Sequence, residues 1–592
     1  MTFFQLSLYF QKLEETASRN TMTEILADLF ARAGKEEIGK LCYLLQGRVV
    51  PLYDPVEFGV GDKLMIRAIG KAYGIEDDRV KKVFKKMGDL GIAAESCFYV
   101  SKHGNKKQLS VGDVFDRLEA LAWMGGEGSQ DQKIEALADI LSSMDALSAR
   151  YFVRIPLDKL RLGFSDMTIL DALSWMLKGD KSLRARLEEV YNIRPDIGLL
   201  ATQVKAHGIA GLSHVKAVVG APILASLCQR LPTADEMIKK MCRRPDKSVG
   251  GRASSTEASG GEVAVEPKYD GVRVQIHVTR DKGQETRVKT FSRNLENTTA
   301  MFPELAEVGK QLNAHDVILD SEAVGLDPAT GKLIPFQETS TRKRKHDIQA
   351  SLLKVPLKFF VFDVLYKDGK DLLSTPLSER RKILGETIKQ REMLVISPQI
   401  VTDSPGKIRE YHDEQIKKGL EGVVVKKWHS PYEPGRRGYS WVKFKEEEGK
   451  TGKLTDSIDA VVMGYYRGEG KRAGFGIGAF LVGVAKGEEF VTISKIGTGV
   501  SDELWKELKR AFSRLSSTVK PKEYGEVPKT LIPDVWIDPK IVVEVAGDDL
   551  TKSSTHGATI AIRFPRLVRI RTDKSPAQVT TVGEVEKMYK QQ

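Results

Sequence analysis

Residues 262–280 read EVAVEPKYDGVRVQIHVTR, and this stretch decides the fold of the region around it. It begins with the short apolar run Val263–Val265, which suits a buried strand. From Val272 onward apolar and polar residues alternate, as expected of a strand with one buried face. Residues 268–273, Lys-Tyr-Asp-Gly-Val-Arg, connect the two strands. We expect their glycine to permit a tight turn that presents Lys268 at the mouth of a sheet.

The residue types in this connection suit phosphoryl chemistry. A lysine amine attacks phosphorus only in its neutral form, which nearby cations or burial favour. Arg273 can supply that positive field and can hold phosphate oxygens. A basic hairpin turn without a catalytic role would have the same residues, so this motif alone leaves both interpretations open.

The composition limits the class of protein. The 592 residues exceed what one hydrophobic core can organise and predict about three or four domains. Hydrophobic residues make up 41% and charged residues 29%, which is typical of a soluble globular protein. No stretch approaches the roughly 20 apolar residues of a membrane span. No basic segment precedes the apolar residues near Met1, so we expect a first helix in a cytoplasmic protein rather than a signal peptide.

Cysteine spacing and net charge narrow the class further. The four cysteines include no CxxC pair, so neither a disulfide framework nor a zinc finger is indicated. The formal net charge of +12 suggests a polyanionic partner, although many basic proteins bind no nucleic acid.

The spacing of apolar residues changes along the chain. Residues 1–215 show mostly helical spacing, for example in Thr168–Leu177, and Thr21 three residues before Glu24 predicts a capping box. No repeat period is evident, which favours a compact helical domain. Residues 247–261 are rich in Ser and Gly, which is typical of a surface loop.

Strands dominate the rest of the chain. Apolar runs predict them at Val317–Leu319, Phe359–Leu365 and Val423–Val425, and later at Val461–Tyr465, Ala479–Val484, Phe490–Ile496 and Ile541–Val545, with a helix at Asp502–Leu515. The polar residues 446–455 between the two groups predict a hinge. The second group is compatible with a small β-barrel such as an OB-fold. We therefore predict a multidomain protein with an all-α domain (1–215), an α+β domain (216–445) and a β-barrel domain (446–592), for which patterning alone does not select the OB-fold.

Further motifs follow Lys268 in a fixed order. They are Ser292-Arg293-Asn294, Ile318–Glu322, Phe360–Asp363, Glu421–Lys426 and Trp441–Lys445, and then Arg563–Arg566 with Arg569, Arg571, Asp573 and Lys574. This ordered set resembles the motifs of the covalent nucleotidyltransferase superfamily, which comprises DNA ligases, RNA ligases and mRNA capping enzymes.

Within that superfamily the chain resembles ATP-dependent DNA ligases of the archaeal and eukaryotic type over nearly its whole length. Residues 335–337 with 341–345, and Asp534–Pro539, match that branch, and Leu160–Phe164, Gly88–Gly91 and Gly126–Ser129 match its DNA-binding domain. The resemblance implies a helical DNA-binding domain, an adenylation (nucleotidyltransferase) domain and an OB-fold domain, in that order. It also implies a monomer that uses ATP to seal nicks in double-stranded DNA through a Lys268–AMP intermediate and 5′-adenylated DNA. Replication, repair and recombination are the implied processes, with nucleoid association and a sliding clamp as a partner.

The resemblance assigns a role to individual residues. Lys268 is the nucleophile. The residues implied to bind ATP or AMP are Glu266, Arg273, Arg293, Glu322, Phe362, Lys426, Arg437, Lys443, Lys445, Arg571 and Lys574. Among them Glu266 would read the adenine, Phe362 would stack on it and Lys426 would lie near the phosphate. Arg161 and Gly163 are implied to contact DNA.

The same assignment makes Glu322 and Glu421 the ligands of Mg²⁺ or Mn²⁺. Carboxylate oxygens suit such ions. Each carboxylate borders an apolar strand and needs a cation partner, so a structural salt bridge is the alternative. Phe362 is equally compatible with an ordinary core position.

One position departs from the family pattern, and other classes of protein are alternatives to a DNA ligase. Val424 stands where many relatives have a larger residue against the adenine, which leaves the discrimination of the base open. Some relatives accept ADP or GTP, so the resemblance does not fix ATP as the sole nucleotide. A capping enzyme or RNA ligase would share the Lys268 chemistry but lack the helical domain. A non-catalytic DNA-binding module would require a broken pocket, and an NAD-dependent ligase would require zinc-binding cysteines.

Overall fold

The computed structural model describes residues 1–101, 108–160, 162–242, 261–280, 286–334, 355–389, 392–444, 457–468, 476–547 and 549–591. The chain divides into two compact units, Met1–Phe444 and Lys445–Gln592, which we describe separately. Some predicted features lie outside the described residues: Arg161, Lys445, the motif residues at 335–345, the hinge at 446–455 and most of the Ser- and Gly-rich stretch.

The first part of Met1–Phe444 is helical, as predicted. Its helices are α1 Phe3–Glu14, α2 Arg19–Arg32, α3 Glu37–Leu44, α4 Asp62–Tyr73, α5 Asp77–Met87, α6 Leu90–Val100, α7 Val111–Trp123, α8 Ser129–Ser142, α9 Ala146–Arg154, α10 Asp166–Lys178, α11 Arg184–Ile193 and α12 Ile197–His207. One continuous apolar core, which includes Phe10, Phe30 and Phe152, joins them. The capping box predicted at Thr21 is wrong, because α2 begins earlier and Ser18 accepts the hydrogen bond of the Thr21 N–H.

Two sheets follow in the same unit. The elements are β1 Leu227–Arg230, α13 Ala234–Met241, β2 Val263–Pro267, β3 Val272–Arg280, β4 Thr286–Ser292, β5 Asp316–Gly325, β6 Leu357–Lys367, β7 Lys370–Asp371, α14 Leu377–Thr387, β8 Leu394–Ile396, β9 Ile400–Thr402, α15 Pro405–Lys417, β10 Val423–Lys427 and β11 Arg437–Phe444. The described strands of one sheet run in the order β1-β11-β10-β2-β9, and those of the other in the order β4-β3-β5-β6-β7, with β8 paired to β6. The predicted strands of this region are confirmed.

Alternation along the strands separates an apolar face from a polar face in each sheet. In the first sheet Val265, Val425 and Val442 pack against α13 and Ile408 of α15. Glu266, Val424 and Lys443 are register partners across β2, β10 and β11, so all three lie on the opposite face. In the second sheet Val274, Ile276 and Leu319 are buried in a core, whereas Arg273 lies opposite Glu322 on the other face.

The two ends of the stretch 243–260 lie side by side. A Cβ atom added to Gly261 would meet the Cα atom of Cys242 at 2.5 Å. Cys242 and Gly261, the residues that flank this stretch, are therefore in contact, and Gly261 lies five residues before Glu266.

The second unit is described by itself. Its elements are β12 Ile458–Tyr466, β13 Ala479–Lys486, β14 Glu489–Ile496, α16 Asp502–Ser513, β15 Ser516–Ser517, β16 Val535–Ile537, β17 Val542–Ala546, β18 Asp549–Lys552, β19 Ile560–Arg563, β20 Arg566–Ile570 and α17 Val582–Gln591. The strands and the helix predicted here are confirmed. Strands β14-β13-β12-β16-β15 form a sheet that β17 and β20 extend, and β18 pairs with β19. Within the described part of this unit the strands form no closed barrel, so the OB-fold stays a prediction.

None of the helices in the described ranges is both long and apolar enough to cross a membrane.

Candidate functional site: a lysine and two carboxylates between two sheets

Lys268 lies where β2 ends, and its backbone is tied to the start of β10. The Lys268 N–H donates to the Gly422 carbonyl (2.9 Å), and the Glu421 N–H donates to the Lys268 carbonyl (3.2 Å). The Lys268 ammonium forms an ion pair with the Glu421 carboxylate. The candidate nucleophile is therefore paired with Glu421, one of the two predicted metal ligands. The sequence interpretation predicted a neighbouring cation, Arg273, next to it.

Gly271 is required for a different reason from the one expected. It does not have a positive φ. A Cβ atom at this position would instead lie 2.5 Å from the Ala323 carbonyl oxygen and 2.9 Å from Cγ of Glu322. The glycine therefore allows β3 to approach β5 closely, which brings Lys268 near Glu322.

Arg273 lies in a buried polar cluster behind the lysine. Its Nε and Nη2 atoms donate to the Asp320 carboxylate at 3.1 and 2.6 Å, and Nη1 donates to the Ser226 carbonyl at 2.8 Å. The Tyr432 hydroxyl donates to Asp320 at 2.8 Å. Burial acts to lower the pKa of Arg273, but the charge of Asp320 outweighs it and raises this pKa. Arg273 thus provides a permanent cation at the floor of the site.

Glu322 and Glu421 share the electrostatic environment of Lys268. Burial raises the pKa of the Glu322 carboxyl to about 7, the charges of Lys268 and Arg273 act to lower it, and those of Asp320 and Glu421 act to raise it further. A carboxyl in this environment is stabilised in its ionised form by an added cation. The described residues contain no group of three or more His, Cys, Asp or Glu placed to hold a metal. Two carboxylates nevertheless fit Mg²⁺, which commonly uses one or two of them together with substrate phosphates.

A second cluster surrounds Glu266, the residue that the resemblance assigns to adenine. The Lys426 ammonium donates to Glu266 Oε2 at 2.7 Å, and both side chains are almost completely buried. Glu266 Oε1 is buried with no hydrogen-bond partner, and Arg381 Nη1 is 3.7 Å away. The Lys426 ammonium also lies 4.4 Å from the ring centre of Phe362 and 4.1 Å from that of Trp441. The structure therefore brings Lys426 to Glu266 and Phe362, although the resemblance implied a place near the phosphate.

The remaining predicted cations of this unit are only partly grouped. Arg293 is exposed at the turn after β4 and lines one small recess with Arg273 and Asp320. Lys443 lies in the strand register beside Val424. Arg437 is exposed at the start of β11, where it pairs with Leu227 of β1, and Lys443 pairs with Arg230, only three residues further along β1. A register irregularity in β11 between these two pairs shortens the separation along the sheet.

Gly163 lies between α9 and α10 in the helical region. It is exposed and has a φ of 75°. The neighbouring Leu160 and Leu162 are buried in the helical core. The motif therefore anchors two apolar side chains and presents its backbone to solvent at the glycine.

Arg571 and Lys574 form a charge cluster in the second unit. Asp459 accepts from Arg571 Nη1 at 2.9 Å and from Lys574 Nζ at 2.5 Å. Arg571 also donates to Asp573 at 2.7 Å. The two predicted cations are thus held together by one carboxylate.

Several residues of these clusters carried no role in the sequence interpretation. They are Asp320, Arg381, Tyr432 and Trp441. Asp320 had a signal, because it is an acidic residue between apolar residues of a predicted strand and needs a buried cation partner. Arg381 and Tyr432 had none, because their partners are far away in sequence.

Comparison with known proteins identifies the family. The chain matches the family models described as DNA ligase N terminus over residues 2–174, ATP dependent DNA ligase domain over 222–445 and ATP dependent DNA ligase C terminal region over 473–574. It is 40% identical to a "Probable DNA ligase" of Dictyoglomus turgidum, over 100% of this chain and 98% of that protein. It is 38% identical to a "DNA ligase" of Pyrobaculum islandicum, over 100% of this chain and 99% of that protein.

A solved structure described as "Pmar-Lig_PreS3" shares the fold, with a TM-score of 0.53 at 17% identity over 95% of this chain and 99% of that one. The match to the ligase N terminus argues against a capping enzyme, which would lack this region. The chain belongs to the ATP-dependent DNA ligase family, and its activity is that of an ATP-dependent DNA ligase.

Proposed function

We propose that this ligase seals nicks in duplex DNA through a covalent Lys268–AMP intermediate. The observation that carries the proposal is the position of Lys268, paired with Glu421 and electrostatically coupled to Glu322. The buried Glu266 Oε1 atom, which lacks a hydrogen-bond donor, supports a ligand that donates to it. An adenine amino group is a donor of the required kind.

In the first step the Lys268 amine attacks the α-phosphorus of ATP. A bond forms between Nζ and phosphorus, the bond to the bridging oxygen of pyrophosphate breaks, and the amine loses its protons to solvent. Glu266 and Phe362 would hold the base, and Lys443 would hold phosphate oxygens. Arg571 and Lys574 of the second unit would orient the pyrophosphate. Positioning and cations contribute most of the rate in such in-line transfers.

Two further transfers would complete the reaction. An oxygen of the nick's 5′-phosphate attacks the same phosphorus, and the bond to Lys268 breaks. The 3′-hydroxyl then attacks the 5′-phosphate, its proton goes to solvent, and AMP leaves. Arg273, Arg293, Arg437 and Lys445 would hold the phosphates, and Arg161 and Gly163 would contact the duplex.

A divalent cation, Mg²⁺ or Mn²⁺, would be held by Glu322 and Glu421. When bound, it would screen the phosphates and polarise the α-phosphate. Because Glu421 is the partner of Lys268, its engagement elsewhere would leave the amine free to lose its proton.

The proposal extends to organisation and cellular role. Residues 1–215 would form the DNA-binding domain, 216–445 the adenylation domain and 446–592 an OB-fold domain. The enzyme would act as a monomer on chromosomal DNA in replication, repair and recombination, with a sliding clamp as a partner. The continuous helical core and the two sheets support the first two assignments.

Labelling with α-³²P ATP tests the intermediate. Lys268→Ala should abolish the protein–AMP adduct, and Lys268→Arg, which keeps the charge beside Glu421, should do so too. Lys427→Ala is the matched control, because Lys427 is the register partner of Val263 on the other face of the sheet. Labelling of either Lys268 variant at the wild-type level would show that the nucleophile is a different residue.

A further inference from the structure

An apolar cluster joins the helical region to the turn that carries Arg293. Its members are Tyr53, Ala221, Phe291 and Leu295, and we refer to them as the Tyr53 cluster. Tyr53 comes from the segment between α3 and α4, Ala221 from the segment before β1, and the other two from either side of the turn. The rings of Tyr53 and Phe291 meet edge to face with centres 6.2 Å apart. All four side chains are buried.

The turn itself contains a strained residue. Leu295 has a φ of 68°, a left-handed conformation that leucine rarely adopts. Such a conformation persists only where the surroundings hold it. Here the Leu295 side chain is buried in the Tyr53 cluster, so its packing against the helical region offsets the backbone strain.

Hydrogen bonds transmit this constraint to the exposed tip. The Leu295 N–H donates to the Ser292 carbonyl, and the Ser292 N–H donates to the Glu296 carbonyl, both at 2.9 Å. The Ser292 hydroxyl accepts from the Asn294 N–H at 3.2 Å. Arg293 is exposed within this closed turn and borders the recess that contains Arg273. Its backbone position is therefore fixed by the residues on either side of it.

Residues outside the Tyr53 cluster also contact its aromatic rings. His277 contacts the Phe291 ring with centres 4.9 Å apart, and its Nδ1 atom accepts from the Gly220 N–H at 3.0 Å. The Tyr53 hydroxyl lies 3.5 Å from the Asp196 carboxylate, at the limit of a hydrogen bond. The ring of Tyr53 therefore makes the contact with Phe291, whereas its hydroxyl interacts with Asp196 and Arg194 of the helical region.

We infer that Tyr53 is a positioning residue for the ligation reaction: its ring holds the Leu295 turn, and the turn sets Arg293 against the nick's 5′-phosphate. The helical region then acts on the chemistry as well as on DNA affinity. This inference rests on the proposed role of Arg293. It makes the position of Arg293 depend on Tyr53 in the helical region, 240 residues earlier in the chain.

The test measures transfer of AMP from preformed enzyme–AMP to a saturating nicked duplex in a single turnover. Tyr53→Ala in the full chain should slow this transfer on the order of 10- to 100-fold, as expected when a phosphate-binding group moves by about 1 Å. Tyr53→Phe keeps the ring and should react at the wild-type rate. Leu295→Gly removes the side chain, relieves the strained φ and should match Tyr53→Ala, so the test does not depend on one variant folding.

A double-mutant cycle with Arg293→Ala separates positioning from general destabilisation. In the Arg293→Ala background, Tyr53→Ala should have no further effect, because the group that it positions is gone. An equal further loss in that background would overturn the inference, and so would a wild-type rate for Tyr53→Ala and Leu295→Gly. If Arg293→Ala itself reacted at the wild-type rate, the proposed role of Arg293 would fail, and the inference with it. If Arg293→Ala were slow but the Tyr53 and Leu295 variants reacted at the wild-type rate, the inference would fail and the proposed role of Arg293 would stand.

Discussion

The raised pKa of Glu322 makes the stability of the first unit depend on pH in a predictable direction. Burial raises this pKa from 4.5 to about 7. At about 1.4 kcal/mol for each pH unit, the difference corresponds to about 3 kcal/mol. Glu322→Gln replaces the titrating carboxyl by a neutral group of similar shape. The variant should therefore lack this dependence.

The direction follows from where the protons are bound. Below pH 4.5 Glu322 is protonated in both the folded and the unfolded state, and its titration contributes no difference. Between pH 4.5 and about 7 only the unfolded state releases the proton, so folding becomes less favourable as pH rises. Above pH 7 the cost is complete. Without metal, the wild type should be less stable than Glu322→Gln by about 3 kcal/mol at pH 8, and the gap should shrink to about 1 kcal/mol at pH 5.

Hydrogen exchange of peptides from β5, corrected for the pH dependence of intrinsic exchange, measures this free energy locally. It reports on the sheet that contains Glu322 and not on the second unit. Glu307→Gln is the matched control, because this glutamate is in the same unit and its side chain is 72% exposed. An equal difference between wild type and Glu322→Gln at pH 5 and pH 8 would refute the electrostatic argument.

Three further predictions concern the reaction steps. Arg571→Ala combined with Lys574→Ala should slow lysine adenylylation by about 10²-fold, since an electrostatic contact to the leaving group is lost. Single-turnover sealing of a nick that already carries 5′-AMP should be largely spared, and an equally deep loss there would contradict the assignment. Deletion of residues 1–215 should weaken binding of nicked DNA, measured by titration, far more than it slows self-adenylylation. Equal losses of both activities would indicate that the helical region is a structural part of the catalytic core. Gly271→Ala should reduce adenylylation at least about tenfold, because the added Cβ would meet a backbone oxygen of β5 at 2.5 Å. Gly385→Ala, where a Cβ would meet nothing within 4 Å, should react like the wild type.

The sequence predicted the elements that depend on local patterns. Alternation from Val272 gave β3 and its polar face, and the apolar run Val423–Val425 gave β10. The predicted strand Val317–Leu319 is shorter than the observed β5, because only its most apolar part is recognisable without a partner strand. The start of α2 was missed, since Ser18 and Thr21 are both residue types that cap helices and only the fold shows which one does so.

The pairing of charges could not be predicted, because it depends on which distant strands become neighbours. Glu266 and Lys426 are 160 residues apart, and Lys268 and Glu421 are 153 apart. The structural requirement for a glycine at position 271 could not be predicted either, because it comes from the close approach of β5, which leaves no pattern in the local sequence. The order of the motifs identified the family, but the partners of each side chain came only from the fold.

The shared register of Glu266, Val424 and Lys443 has a consequence for how this enzyme can change in length. Side chains alternate between the two faces, so losing one residue from β10 would exchange Val424 and Lys426 on the polar face with Val423 and Val425 in the core. Single-residue insertions and deletions in these strands are therefore far more damaging than substitutions. The stretch 243–260 is the opposite case, because the residues that flank it, Cys242 and Gly261, are in contact with each other. A foreign peptide, a reporter or new chain termini introduced between them should leave the register of Glu266, Val424 and Lys443 unchanged.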